Sequence, residues 1–159
     1  TNPVQFLNLL NMAAYGNLQR MNSDKNMTLL LLDYHEGTFW ASGQHEEIII
    51  ARHNGEVELI DTIDLGFPIG LEEDIADFLA ATEVHLSPGD VVVLYTDGIT
   101  EAENIEKVQY GLERLVELSR QHHHLGAHEI NQLIIDDVYQ HIGKQTIYDD
   151  ITLLVLKQR

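Results

Sequence analysis

Three aspartates stand where a sheet could deliver them to one place. Asp97 follows the apolar run Val91–Thr96, and Asp149-Asp150 precedes the apolar run Ile151–Leu156. Each run predicts a buried strand, so one strand ends in a carboxylate and another begins beside two. Carboxylates crowded at a sheet edge repel one another, and each is costly to desolvate. A divalent cation removes both penalties. Mg²⁺ and Mn²⁺ are hard ions that prefer carboxylate and water ligands. Taken singly, each aspartate reads as the cap of a turn, Asp97 at Gly98 and Asp149 or Asp150 at a loop. Taken together, against two buried strands that would have to be neighbours, they point towards a metal site.

The rest of the chain must position these turns. Asn2 is a good N-cap and Pro3 suits a first helical position, so a helix is predicted over about 3–20. Met27–Tyr34, apolar on both faces, reads as a strand covered on both sides. A tight turn at His35-Glu36-Gly37 leads to a second strand, Thr38–Gly43, with Phe39 and Trp40 on opposite faces and Trp40 assigned to the core. Glu46–Arg52 and Glu56–Asp61 are a third and fourth strand. Between them Asn54-Gly55 is the strongest hairpin signal in the chain, with positive φ expected at both positions. Asp64–Leu71 reads as a loop. Glu72–Leu86 fits helix and strand alternately. A strand over Ala81–Leu86 is preferred, because Ser87-Pro88-Gly89-Asp90 would join it to Val91–Thr96 as a hairpin. A polar connection over Glu101–Val108 precedes helices at about 111–121 and 127–142, with Gly143 placed to terminate the second. Strands in numbers with helices clustered in sequence give an α+β class.

Composition narrows the function. The 159 residues carry 26 acidic and 9 basic side chains, a formal charge of −17. That balance sets aside nucleic acid and anionic membrane, which need a positive footprint. No cysteine is present, which removes disulfides, thiolate metal sites and a thiol nucleophile. Apolar runs fall short of the ~20 residues of a membrane span, and a cytoplasmic location is expected. His122-His123-His124, with His128 a turn further on, could bind a transition metal. Three adjacent imidazoles cannot all face one ion, so a solvated loop is expected. His45 reads as a turn residue beside Gly43.

Leu94-Tyr95-Thr96-Asp97-Gly98-Ile99-Thr100-Glu101, followed by Asp149-Asp150-Ile151-Thr152-Leu153, resembles the metal-dependent (PPM, type 2C) Ser/Thr protein phosphatases, in their bacterial SpoIIE-type branch. Met27-Thr28-Leu29 with Ala41-Ser42-Gly43-Gln44-His45, then Asp64–Gly70, then Leu86-Ser87-Pro88-Gly89-Asp90 fall in the same family's order. The resemblance covers essentially the whole chain. It implies an αββα sandwich of two antiparallel sheets flanked by helices. It also implies hydrolysis of phosphoserine or phosphothreonine on a protein by water activated between two Mn²⁺ or Mg²⁺ ions. Asp97 and Asp149 would be metal ligands and Asp150 would orient water or ligands, all three serving catalysis. Gly98 would let the backbone turn away from the ion. The implied substrate is a phosphorylated antagonist of an anti-sigma factor, with a sensor domain preceding the phosphatase in the full-length protein.

One departure shapes the expectation. The family's Gly-Asp-x-x-Asp-like strand and Asp-x-x-Gly-His-Gly turn are not in this sequence, and Asp24 and Asp33 lie in the wrong contexts. Residues 1–159 are therefore expected to be a single partial phosphatase domain. It would lack its N-terminal strands and half of its metal ligands, and be inactive alone. Open strand edges would then favour a homodimer. The alternatives are a non-catalytic pseudophosphatase that binds a partner protein as a signalling module and, more remotely, a stand-alone acidic cation-binding domain.

Overall fold

A computed structural model describes residues 2–159. The described residues form two compact units, one of residues 2–45 and 61–86 and one of residues 46–60 and 87–159. Each unit holds one antiparallel sheet with helices, which is the α+β composition expected.

The first unit begins with helix α1 (Pro3–Arg20). Its N-terminus is fixed by Asn2, whose Oδ1 accepts from the N–H groups of Val4 at 3.0 Å and Gln5 at 3.4 Å. Three strands follow in the spatial order β1-β2-β5: β1 (Leu31–His35), β2 (Thr38–Ser42) and β5 (Ala81–His85). Glu36 and Gly37, the two residues between β1 and β2, have φ of 46° and 82°. Positive φ at both positions is the I′ geometry that suits the twist of paired strands. Phe39, Ala41 and Val84 are buried within this sheet, and Leu7 of α1 is fully buried.

Asn11, also fully buried, secures the loop at residues 70–73. Its Nδ2 donates to the carbonyls of Glu72 and Glu73, and its Oδ1 accepts from the N–H of Gly70. Gly66 lies so close to the end of β2 that a Cβ would sit 2.5 Å from Gly43 Cα and 2.6 Å from Gln44 N. Both obstacles are backbone and cannot swing aside. Gly66→Ala is expected to lower the unfolding free energy by about 1–3 kcal/mol in urea titration. Gly16→Ala is the control, because a Cβ there meets nothing within 4 Å. Removing a helix-interior glycine should stabilise by about 0.5–1 kcal/mol.

The second unit carries the order β4-β3-β6-β7, with β3 (Ile48–Ala51), β4 (Val57–Ile60), β6 (Val91–Tyr95) and β7 (Leu153–Lys157). Helices α3 (Leu112–His122) and α4 (Ala127–Ile142) cover one face. Ile49, Ala51, Val91, Val93, Tyr95 and Val155 meet Leu115, Ile130, Ile134, Val138 and Ile142 in one core. Ile48, Ile50 and Val92, on the alternate positions, are equally buried. The central strands therefore read as continuous apolar runs rather than alternating ones.

Several expectations need correction. The strand expected over Met27–Tyr34 is shorter and later, and none of its residues is buried, because β1 is an edge strand. Met27 makes only an isolated bridge to Ile69. Trp40 is half-buried while Phe39 takes the core side. The Asn54-Gly55 turn has positive φ only at Gly55. The N–H of Gly55 donates to the Arg52 carbonyl and the N–H of Arg52 to the Glu56 carbonyl, so the loop is one residue longer than an I′ hairpin. The hairpin across Ser87–Asp90 does not form either. β5 pairs with β2, whereas β6 pairs with β3 and β7. The last strand starts at Leu153 and lies at a sheet edge, leaving Leu154 and Leu156 exposed.

Candidate active site

β6 and β7 pair antiparallel with Tyr95 opposite Leu153, so β6 ends where β7 begins. The apolar residues that bury β6 thereby carry Asp97 to the place where Asp149-Asp150 enters the sheet. Thr96 extends the pairing by one step. Its N–H donates to the Thr152 carbonyl at 3.2 Å, its hydroxyl accepts from the Thr152 N–H at 3.2 Å, and the same hydroxyl donates to the Asp150 carbonyl at 3.1 Å. One side chain thus laces the two aspartate-bearing turns together. Sequence reading passed over Thr96; a hydroxyl residue directly between a buried strand and the aspartate was the available signal.

Asp97 opens a single helical turn, α2 (Asp97–Thr100). Gly98 is buried, and a Cβ on it would lie 2.3 Å from the Asp150 carbonyl oxygen and 3.0 Å from its carbon. Only a residue without a side chain lets the backbone of α2 touch the turn before β7. Asp97, Asp149 and Asp150 are all exposed. Asp97 Oδ1 accepts from the N–H of Gly98 at 2.9 Å, and Asp149 Oδ1 from the N–H of Asp150 at 2.7 Å. These are local turn bonds, and each carboxylate keeps a second oxygen that accepts no hydrogen bond from them. Beside them, Tyr95 is held neutral: burial, with Glu46 and Glu47 nearby, pushes its phenol above the ordinary value of 10.0.

A divalent ion fits this place in part. The donors are hard oxygens, they are wet, and the Gly98 contact brings their turns together, as Mg²⁺ or Mn²⁺ requires. The number of donors falls short. Among the described residues no group of three or more His, Asp or Glu is gathered to hold a metal ion. The histidines do not supply one elsewhere. His123 Nδ1 bonds the Arg120 carbonyl at 2.7 Å, and His45 pairs with the Thr28 hydroxyl at 2.9 Å as a turn residue.

Gly98→Ala is expected to cost about 1–3 kcal/mol, because the added methyl must push apart two backbones fixed by β6–β7 pairing. Chemical denaturation checks it; an unchanged midpoint would show that the turns are not pressed together.

The model of the family described as Stage II sporulation protein E (SpoIIE) matches residues 1–159. The chain belongs to the SpoIIE family. Among curated proteins, this SpoIIE-family chain is 26% identical over 130 residues to the phosphoserine phosphatase RsbU of Bacillus subtilis (strain 168). That match takes in 80% of this chain and 36% of RsbU, so the chain spans about a third of the relative's length. Among solved structures it is similar to the SiaA-PP2C domain of Pseudomonas aeruginosa, with a TM-score of 0.71 at 20% identity over 100% of this chain and 72% of that one. It is also similar to the phosphatase domain of SpoIIE from Bacillus subtilis, presoaked with Mn, with a TM-score of 0.60 at 17% identity over 99% and 72%. At these identities the structures establish the fold, two antiparallel sheets with helices in the PP2C manner. Among the described residues no helix is long and apolar enough to cross a membrane.

Proposed function

We propose that this SpoIIE-family chain is part of the catalytic domain of a metal-dependent phosphoprotein phosphatase. In this reading Asp97 and Asp149 hold a divalent ion, Mn²⁺ or Mg²⁺, and Asp150 orients a ligand or water beside it. The observation that carries the reading is the approach of Gly98 to the Asp150 backbone, which joins two carboxylate-bearing turns at the ends of paired strands. The name of RsbU, a phosphoserine phosphatase, supports the same chemistry. When bound, divalent ions supply Lewis acidity and an activated water for hydrolysis of a phosphate ester. The chain's own residues place the carboxylates, and Gly98 gives the backbone room to do so. The substrate class is a protein phosphorylated on serine or threonine, for which a regulatory protein such as an anti-sigma-factor antagonist is the proposed example.

Because the carboxylates at this place make only part of a ligand set, residues 1–159 alone are expected to release no phosphate from a phosphoserine protein in Mn²⁺. A domain that carries this chain together with the remaining ligands is expected to do so, and to stop when the metal is chelated. Phosphate release measured on both proteins tests the reading. Turnover by residues 1–159 alone would overturn the partial-site part of it. A complete domain that binds phosphoprotein without hydrolysing it would favour a binding module instead.

A further inference from the structure

α2 is one turn long, too short to persist by its own hydrogen bonds. The Asp97 and Ile99 carbonyls accept from Glu101 and Ala102 close by, but no continuing helix supplies a donor for the last carbonyl, that of Thr100. The end of the turn and the residues just after it find partners eight to eleven residues further on. The N–H of Gly111 donates to the Thr100 carbonyl at 2.9 Å, and the N–H of Tyr110 to the Ala102 carbonyl at 2.8 Å. Within the turn the N–H of Glu101 returns to the Asp97 carbonyl at 2.8 Å. The C-terminal end of the turn that carries Asp97 is therefore tied to residues 110 and 111.

They are held from α4. Tyr110 is 4% exposed, and its hydroxyl donates to Asp137 Oδ2 at 2.8 Å. Arg114 grips the same carboxylate in a fork, Nε to Oδ2 and Nη2 to Oδ1, both at 2.8 Å. Paired donors of this kind fix orientation as well as adding energy. The Arg114 guanidinium also lies 4.9 Å from the centre of the Tyr110 ring, and the His141 ring stands edge-on to it at 5.5 Å. His141 Nε2 reaches the Val108 carbonyl at 2.9 Å. Asp137 is thus a carboxylate on which Tyr110 and Arg114 converge, and it sits on α4, whose Ile130, Ile134, Val138 and Ile142 are buried in the core of the unit. The proposed chemistry does not otherwise use it.

We propose that Asp137 is a positioning residue for Asp97, acting through Tyr110 and the backbone N–H groups of residues 110 and 111. Its meaning for catalysis rests on the phosphatase reading above, whereas the mechanical link does not. The link is read by hydrogen exchange with mass spectrometry on this chain, without metal or substrate. Asp137→Ala keeps a good helix former in α4. Tyr110→Phe removes only the hydroxyl and serves if the first variant folds poorly. Both should speed exchange at the amides of residues 98–102 by at least about fivefold, leaving β4 unchanged, as a local opening does. Ile130→Val, which trims the same core on the same helix, should not single out this segment. Unchanged exchange at 98–102 in both variants, or a uniform rise across the unit, overturns the proposal.

A second readout uses the complete domain. There Asp137→Ala should raise the Mn²⁺ concentration for half-maximal turnover about tenfold, the usual cost of losing support behind a ligand, with kcat at saturating Mn²⁺ little changed. No change in that concentration, in a domain that Asp97→Asn inactivates, also overturns it. If Asp97→Asn itself leaves turnover intact, the phosphatase reading fails and the exchange result still decides the mechanical link.

Discussion

Asp90→Asn is expected to lower the unfolding free energy by about 1.5–3 kcal/mol, the worth of hydrogen bonds made to a buried charged group. The Asp90 side chain is 1% exposed. It accepts from Arg52 Nη1 at 2.9 Å, from the backbone N–H of Ser87 at 2.9 Å and from the backbone N–H of His53 at 2.8 Å, with His53 Nδ1 at 3.2 Å. One carboxylate therefore ties the β3–β4 turn to the turn that launches β6, the strand that carries Asp97. An amide in its place turns a nitrogen donor towards donors and takes from Arg52 the carboxylate it shares with Ser87 and His53, while its pairing with Glu58 remains.

The pH dependence follows from the same contacts. Burial alone would raise the Asp90 pKa, but the N–H groups of Ser87 and His53, together with the Arg52 guanidinium, outweigh it and hold the group below its ordinary 3.8. A carboxylate with a depressed folded pKa stabilises fully above its unfolded value and loses that contribution as pH falls through the folded one. The gap between wild type and Asp90→Asn should be complete at neutral pH and should close below about pH 4. Urea titrations at several pH values measure it. A gap under about 1 kcal/mol at neutral pH, or one that stays constant into acid, would contradict a charged Asp90 held by these donors.

The elements that deliver the candidate site could be read from the sequence because their signals are local. Val91–Tyr95 is apolar throughout, and a strand buried on both faces has that composition. Asn2 and Pro3 start α1 by capping chemistry alone. Pairing was not local, and there the expectation failed. Ser87–Asp90 looks like a hairpin turn, yet its aspartate faces Arg52 and His53, partners 38 and 37 residues away, and the two strands it joins belong to different sheets. Met27–Tyr34 looked doubly buried because it is apolar on both faces, but edge position is a property of the assembled sheet. At the site, Asp97 and Asp149-Asp150 were legible from their places at strand ends. The roles of Thr96 and Asp137 were not, since each depends on a partner more than twenty residues away.

The carboxylates carry the largest functional expectation. Asp97 and Asp149 are exposed, so replacing either with asparagine removes a charge without opening a cavity, and stability should move by no more than about 0.5 kcal/mol. A divalent ion contributes several kcal/mol to transition-state charge stabilisation, and each 1.36 kcal/mol is tenfold in rate. Asp97→Asn and Asp149→Asn should therefore each lower kcat/KM by about 100-fold or more in a complete domain. Asp150→Asn, one position removed, should cost less. The decisive measurement is Mn²⁺-dependent phosphate release from a phosphoserine protein by that domain, wild type against Asp97→Asn, with melting curves confirming that both are folded. Loss of turnover by the folded variant is the predicted result; turnover at the wild-type rate would contradict the assignment of Asp97 to the metal.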